Sequence, residues 1–172
     1  MTARCSIAPR RPWSAWRRTS INTFASIASA GLAAVLLSGP IAQAQQVKGA
    51  DVYNTACMMC HQAQAQGAAG LAPPLKGSYW DKLGKLPGYV PGVLLAGMHG
   101  PLATDDGQFN GVMPTQNRLS DAEIAAVSNY VVREVNGQAA SPAVAAGDVT
   151  ALRAKPPTVS ELRGMRKKAL GK

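Results

Sequence analysis

The sequence predicts an all-α fold in which a first and a last helix cross, with a long loop-rich segment between them. Three observations carry that expectation. Near the C-terminal end of the main segment, Ser120 stands three residues before Glu123, a capping-box signature that opens a helix. Behind it, Ile124, Val127 and Val131 recur at i, i+3 and i+7, the spacing of one buried helical face. Between residues 67 and 118 the chain is rich in Gly and Pro, which break long helices, and no strand–helix alternation of an α/β unit appears.

The first helix is expected from about Val47 to Cys60. Its small residues Gly49 and Ala56 would let another backbone approach closely. A short helix is expected from Val90 to Met98. The last helix runs from Leu119 to Val135, with Leu119 and Ile124 flanking the cap as a hydrophobic staple. Its buried face should cross the first helix and bring Tyr130 near Gly49 or Tyr53.

The 172 residues suffice for one domain with appendages and not for two full domains. The formal charge of +9 suggests nucleic acid or membrane until it is mapped. Residues 1–44 carry five Arg and no acid, residues 45–137 six basic against seven acidic groups, and residues 138–172 seven against two. The centre is therefore nearly neutral. No basic face with interleaved aromatics exists to bind nucleic acid.

Residues 1–44 read as a signal peptide. A basic stretch ends at Arg18, an apolar run extends from about Phe24 to Leu37, and Gly39-Pro40 breaks it. Ala42-Gln43-Ala44 offers the small residues of a cleavage site, which places the cut before Gln45. The run is shorter than the roughly 20 residues that span a bilayer, so membrane association would need a partner or an uncleaved leader. Arg17-Arg18 resembles a twin-arginine signal only weakly, because the residues after it fit that pattern poorly, and the general secretory route is expected. The expected location is the periplasm, and Cys5 leaves with the leader.

Two cysteines then remain, in Cys57-Met58-Met59-Cys60-His61. C-x-x-C-H is the pattern of covalent haem attachment. Each thiol can add across one vinyl group, and helical spacing brings Cys57, Cys60 and His61 to one side, where the imidazole is the proximal ligand of the iron. A redox dithiol would need an α/β setting. A structural zinc site needs about four ligands, and beyond the motif only His99 is available.

The wider pattern resembles the class I, single-haem cytochromes c. Gly49 precedes Tyr53 by four residues and Tyr53 precedes Cys57 by four. Gly70-Leu71-Ala72-Pro73-Pro74-Leu75 is similar to the family's proline loop, Asn110-Gly111-Val112-Met113-Pro114 to its methionine loop, and Leu119 to Val135 to its last helix. The resemblance covers about residues 47–137. It implies a cytochrome c fold around one covalent haem c, with Met113 as the distal iron ligand and the Pro73 carbonyl accepting from His61. Met58 and Met59 sit inside the attachment motif, and Met98 suits a packing role. His99, beside Gly100-Pro101 and Asp105-Asp106, suits an exposed loop. Leu71, Leu75, Tyr79, Trp80, Leu86, Leu94 and Val112 are the expected contacts of the haem plate.

Iron closed by His61 and Met113 has no open position, which implies electron transfer and not enzymatic turnover. A displaceable sixth ligand would instead make a gas sensor or a peroxidase-like protein. The expected partners are redox proteins, a periplasmic dehydrogenase or a terminal acceptor. Residues around Tyr89 to Val132 look similar to small cytochrome subunits of such dehydrogenases. Residues 138–172 form a linker and basic tail, either disordered or docking a partner through Val159, Leu162, Met165 and Leu170 with Arg163, Arg166, Lys167 and Lys168 beside them. On the docking reading, deleting residues 148–172 would spare the haem spectrum and slow reduction by the partner.

About 90 residues make a thin core without a cofactor. A haem-free Cys57→Ser/Cys60→Ser protein is therefore expected to melt without a cooperative transition, as followed by circular dichroism.

Overall fold

The computed structural model describes residues 46–171. The leader at 1–44, its cleavage site and Cys5 lie outside the described residues. The chain opens with α1 (Gly49–Ala56) and α2 (Met58–His61), and its central part holds α3 (Trp80–Leu83) and α4 (Tyr89–Ala96). Two short ladders follow, built from β1 (Met98–His99), β2 (Leu102–Thr104), β3 (Gly107–Phe109) and β4 (Val112–Met113). Then come α5 (Asp121–Asn129), its π-helical continuation Tyr130–Val135, α6 (Ala146–Ala154) and α7 (Val159–Leu170). No helix among the described residues is long and apolar enough to cross a membrane.

The first helix is shorter than expected and is broken at Cys57, whose φ of −119° leaves the helical range while its carbonyl still accepts from His61 N at 2.9 Å. The break turns the attachment motif into its own turn. It ends at Gln62, where φ is +64°. Val47 lies outside α1 and is exposed.

Gly49 is the point of closest approach between α1 and α5. A Cβ there would collide with the Ala126 carbonyl oxygen and lie 2.6 Å from Tyr130 Cβ. Only a missing side chain allows this contact. Tyr53, one turn on, is buried and packs on Tyr130 with ring centroids 5.5 Å apart. The capping box forms, with Glu123 N donating to Ser120 Oγ at 3.3 Å and Ser120 N to Glu123 Oε2 at 2.8 Å. Ile124, Val127 and Val131 are buried. The last helix changes character at Tyr130. It widens into a π-helical turn there, and Asn136 Nδ2 donates to Val131 O at 2.8 Å as it ends.

Helix α4 starts and stops earlier than expected. It is apolar on most sides and burial follows: Tyr89, Pro91, Gly92, Leu94 and Leu95 are all buried. Pro91 is tolerated because first-turn N–H groups lack intrahelical acceptors in any case. Gly97 ends the helix at φ +76°, so Met98 belongs to a strand and not to the helix end.

The largest difference from the sequence expectation concerns residues 138–172. Among its described residues, 138–171, two helices form and pack on the core, so the apolar face expected to dock a partner is already covered. Asn129 forms a two-way pair with the Val144 backbone, donating to its carbonyl and accepting from its N–H, both at 2.8 Å. Arg153 Nε reaches Asp121 Oδ1 at 2.7 Å and Thr150 Oγ1 reaches Asp121 Oδ2 at 2.6 Å, holding α6 to the start of α5. Those two hydrogen bonds, Thr150 first, hold the Asp121 carboxyl below its ordinary pKa. Val149 and Leu162 are fully buried. The apolar face made of Val159, Leu162, Met165 and Leu170 packs on the core. The physical reason is close contact: a Cβ on Gly92 would lie 2.9 Å from Leu162 Cδ2 and from Pro157 Cγ. Burying a leucine of this kind contributes about 1.5–3 kcal/mol, one part of what offsets the ordering of the helix.

Leu162→Ala is expected to cost about 2–5 kcal/mol, a core-sized loss, in a single urea transition shared by the whole described region. A cost within about 0.5 kcal/mol, as for a surface site, would mean that α7 is not held.

Candidate functional site: a cavity between the attachment motif and the methionine loop

One apolar cavity of about 360 Å³ gathers the residues singled out in the sequence. Cys57, Cys60, His61, Pro73 and Met113 all line it, as do Leu71, Leu75, Tyr79, Trp80, Leu94 and Val112. His99 does not, and it is exposed. Leu86 packs at the edge of the core without reaching the cavity. Leu71 and Val112, expected as core, are 57% and 77% exposed. Both lie at the cavity's open rim, so they line it without being enclosed.

The proximal wall is set by α2 and the loop after it. His61 is buried, and its Nδ1 lies 2.9 Å from the Pro73 carbonyl oxygen. A carbonyl only accepts, so Nδ1 carries the proton and Nε2 keeps its lone pair free for a metal. Burial holds the His61 pKa below its ordinary value, while the hydrogen bond to Pro73 pulls the other way. The imidazole is thus kept neutral, the form that ligates. The proline loop is itself tied down. Leu75 N donates to Ala65 O at 2.8 Å, and a Cβ at Gly67 would lie 2.5 Å from Ala72 O. Tyr79 Oη donates to the Pro74 carbonyl.

The two thiols are unlinked. Cys57 is buried and Cys60 exposed. Burial pushes the Cys57 thiol up to about 11, against the pull of Arg118.

The part of the wall that carries Met113 depends on a ladder that no sequence signal announces. β1 pairs with β4 in antiparallel register, Met98 opposite Met113. Gly97 makes this possible, because a Cβ there would lie 2.8 Å from the Met113 carbonyl oxygen. Gln116 N donates to Leu94 O at 2.6 Å, fastening the end of the methionine loop to α4. Met113 is half-buried and Met98 is buried, also on the cavity wall.

Haem c fits this chemistry. The volume falls within the roughly 300–1,000 Å³ of cofactor and small-molecule sites, and the wall is mainly apolar. Two thiols, an imidazole with a free lone pair and a thioether stand around it. Among the described residues, two buried polar atoms of residues that line it, Trp80 Nε1 and Gln116 Oε1, have no well-formed hydrogen bond, as expected where a polar group of a cofactor completes them.

Three cavity residues escaped the sequence reading in this role: Trp80 as a donor, Gln116, and Arg166 of α7. Arg166 follows Leu162 by four residues and so shares its buried face. That spacing was a signal available in the sequence, masked by the surrounding run of basic residues.

Fold and site together define a protein that binds haem covalently and carries electrons. A family model described as Cytochrome c matches residues 46–133. A cytochrome c-552 of Thermus thermophilus is 38% identical over 142 residues, covering 81% of this chain and 87% of that protein. A second Thermus thermophilus cytochrome c-552 is 37% identical over 128 residues, covering 73% and 88%. The chain belongs to the cytochrome c family, and its cofactor is covalently bound haem c.

Gly97→Ala is expected to lower stability by about 1–3 kcal/mol through overpacking and backbone strain. Gly88→Ala, with open space around its Cβ, should stay within about 0.5 kcal/mol of the parent. Denaturant unfolding of the two variants side by side checks the contrast.

Proposed function

We propose that the protein is a periplasmic carrier of single electrons, working through a haem joined to Cys57 and Cys60 and ligated by His61 and Met113. The observation that carries this reading is the gathering of both thiols, the tautomer-locked His61 and Met113 on one cavity, with Pro73 as the acceptor behind the histidine. When bound, the haem supplies a one-electron iron couple whose potential is raised by a thioether ligand relative to a second histidine.

The protein's own residues do the rest. Pro73 orients His61 and keeps its lone pair available. The Gly97 turn and the β1–β4 ladder hold the methionine loop against the opposite wall. An apolar lining excludes water, which limits the reorganisation that accompanies a change of charge. His61 and Met113 would both hold the iron of the bound haem, leaving no site for a substrate, and this favours a carrier over a catalyst.

The route for electrons lies at the open rim. Met59 (87% exposed), Leu71 and Val112 line the cavity and reach solvent beside exposed Cys60. An exposed apolar patch of this kind suits brief docking of a redox partner. A dehydrogenase or another donor would deliver electrons here, and a downstream acceptor would take them away. Residues 1–44 would direct the chain through the general secretory route and be removed before Gln45.

Met113→Ala should abolish the sulfur-to-iron charge-transfer band of the ferric protein, and the ferrous form should then bind carbon monoxide rapidly. Rapid binding to the parent protein would instead favour a gas sensor, and an unchanged band in the variant would remove Met113 as a ligand.

A further inference from the structure

We infer that Met59 is a peroxide-sensitive modification site on the open rim of the cavity, where conversion of its thioether to the sulfoxide slows electron transfer and leaves the iron ligands intact. The inference rests on the docking rim described above and adds a point of control to it.

The first observation is an ordering of thioethers by exposure. The methionines of the described residues are Met58, Met59, Met98, Met113 and Met165. Met59 is 87% exposed, Met58 39% and Met98 9%, while Met113 and Met165 are half-buried and packed against the core. A peroxide must reach the sulfur to oxidise it, so exposure sets the order of attack. On the reading above, the Met113 sulfur also commits a lone pair to the iron. Met59 is therefore the first target.

The second observation is where that sulfur stands. Met59 lines the cavity and Met58 does not. The turn that presents Met59 is fastened at its base, with Cys60 N and His61 N both donating to the Cys57 carbonyl, at 3.2 and 2.9 Å. On the same rim, Leu71 and Val112 come from two loops in close contact, since a Cβ on Gly111 would lie 2.8 Å from the Leu71 carbonyl oxygen. Three exposed apolar side chains, Met59, Leu71 and Val112, thus border one opening.

The reaction needs only hydrogen peroxide. Its O–O bond breaks as one oxygen joins Met59 Sδ, and the other oxygen leaves as water with both peroxide hydrogens. The sulfur loses two electrons and the peroxide gains them. Met59 then carries a polar S=O in place of an apolar thioether. Closing a partner over that oxygen, with no donor to meet it, costs the desolvation of a buried polar group. Contact at the rim weakens, while the ligands inside the cavity are untouched. A dithiol reductant reverses the step, its two thiols forming a disulfide as the oxygen departs in water.

The test uses the haem-loaded protein and reads electron self-exchange between its ferric and ferrous copies by nuclear magnetic resonance. Two copies meet rim to rim, so no other partner is needed. After brief treatment with hydrogen peroxide, fragmentation of the haem peptide in a mass spectrometer separates Met58 from Met59. Oxygen is expected on Met59 before Met58 or Met113, with the sulfur-to-iron charge-transfer band retained. Self-exchange should fall about tenfold, as each rim loses the burial of one thioether. Met59→Leu, compared with itself before and after the same treatment, should show no fall. Oxygen arriving first on Met58 or Met113 overturns the inference. So does an unchanged rate once Met59 is fully converted, or a fall in Met59→Leu equal to that of the parent. Should Met59→Leu not take up haem, a peroxide titration of the parent decides. A rate that falls in step with Met59 sulfoxide supports the inference, and one that follows Met58 sulfoxide overturns it. A parent without covalent haem, or without measurable self-exchange, defeats the carrier reading and this inference together. Rapid self-exchange that ignores the state of Met59 defeats the inference alone.

Discussion

The contact between His61 Nδ1 and the Pro73 carbonyl joins the attachment motif to the proline loop. On one side it fixes a proton on a single nitrogen. On the other it needs the proline loop to stay where it is, and a series of contacts ensures this. Gly67 lets the loop fold over itself, Tyr79 holds Pro74, and Asn136 Nδ2 donates to Leu75 O at 2.8 Å. Asn136 sits at the end of the π-helical turn, so the proximal side of the cavity is fastened to the last helix of the main segment. The same helix presses against Gly49 of α1, the helix that leads into Cys57. The result is a closed circuit, in which the attachment motif and the acceptor behind its histidine are held by one partner element.

Much of this circuit was legible in the sequence because it depends on residue types with narrow roles. Ser120 and Glu123 announce a cap at fixed spacing. Gly49 and Tyr53 announce a close approach and an aromatic contact with Tyr130. Cys57, Cys60 and His61 announce an attachment chemistry that few other patterns share. What could not be read is the break at Cys57, since no Gly or Pro marks it. The two ladders were also hidden, because strands of two or three residues are too short for alternation to be seen. Met98 therefore reads as the end of a helix, when Gly97 in fact turns the chain into the strand that supports Met113.

The C-terminal segment misleads for a different reason. Its composition is small, basic and interrupted by Pro156-Pro157, which resembles a solvated tail. The local signs point the other way. Thr158 and Glu161 repeat the capping-box spacing ahead of Leu162, and the box forms, with Thr158 N donating to Glu161 Oε2 at 2.7 Å. Net charge describes the average of a segment. Folding depends on whether one face can be buried, and Val159, Leu162 and Arg166 define that face. Because Arg166 also lines the cavity, removal of residues 148–172 would open a wall of the haem site and could not leave the haem environment untouched, contrary to the sequence expectation.

Helix α4 explains why the segment matters to the site. Its Gly92 accepts Leu162 and Pro157 at close range, while its C-terminal end turns through Gly97 into the ladder that carries Met113. Gln116 returns to the Leu94 carbonyl of the same helix. One short apolar helix thus has the last helix on one side and the methionine loop at its end. Apolar packing is stiff, with density near that of an organic crystal. Displacing α7 would leave a void beside Gly92 and loosen the element on which the distal loop is mounted. The proximal histidine is held by the first and last helices of the main segment, and the methionine loop by a helix that the C-terminal segment supports. The appended helices also grip α5 through Asn129 and Asp121, so they brace the elements behind both the histidine and the methionine loop.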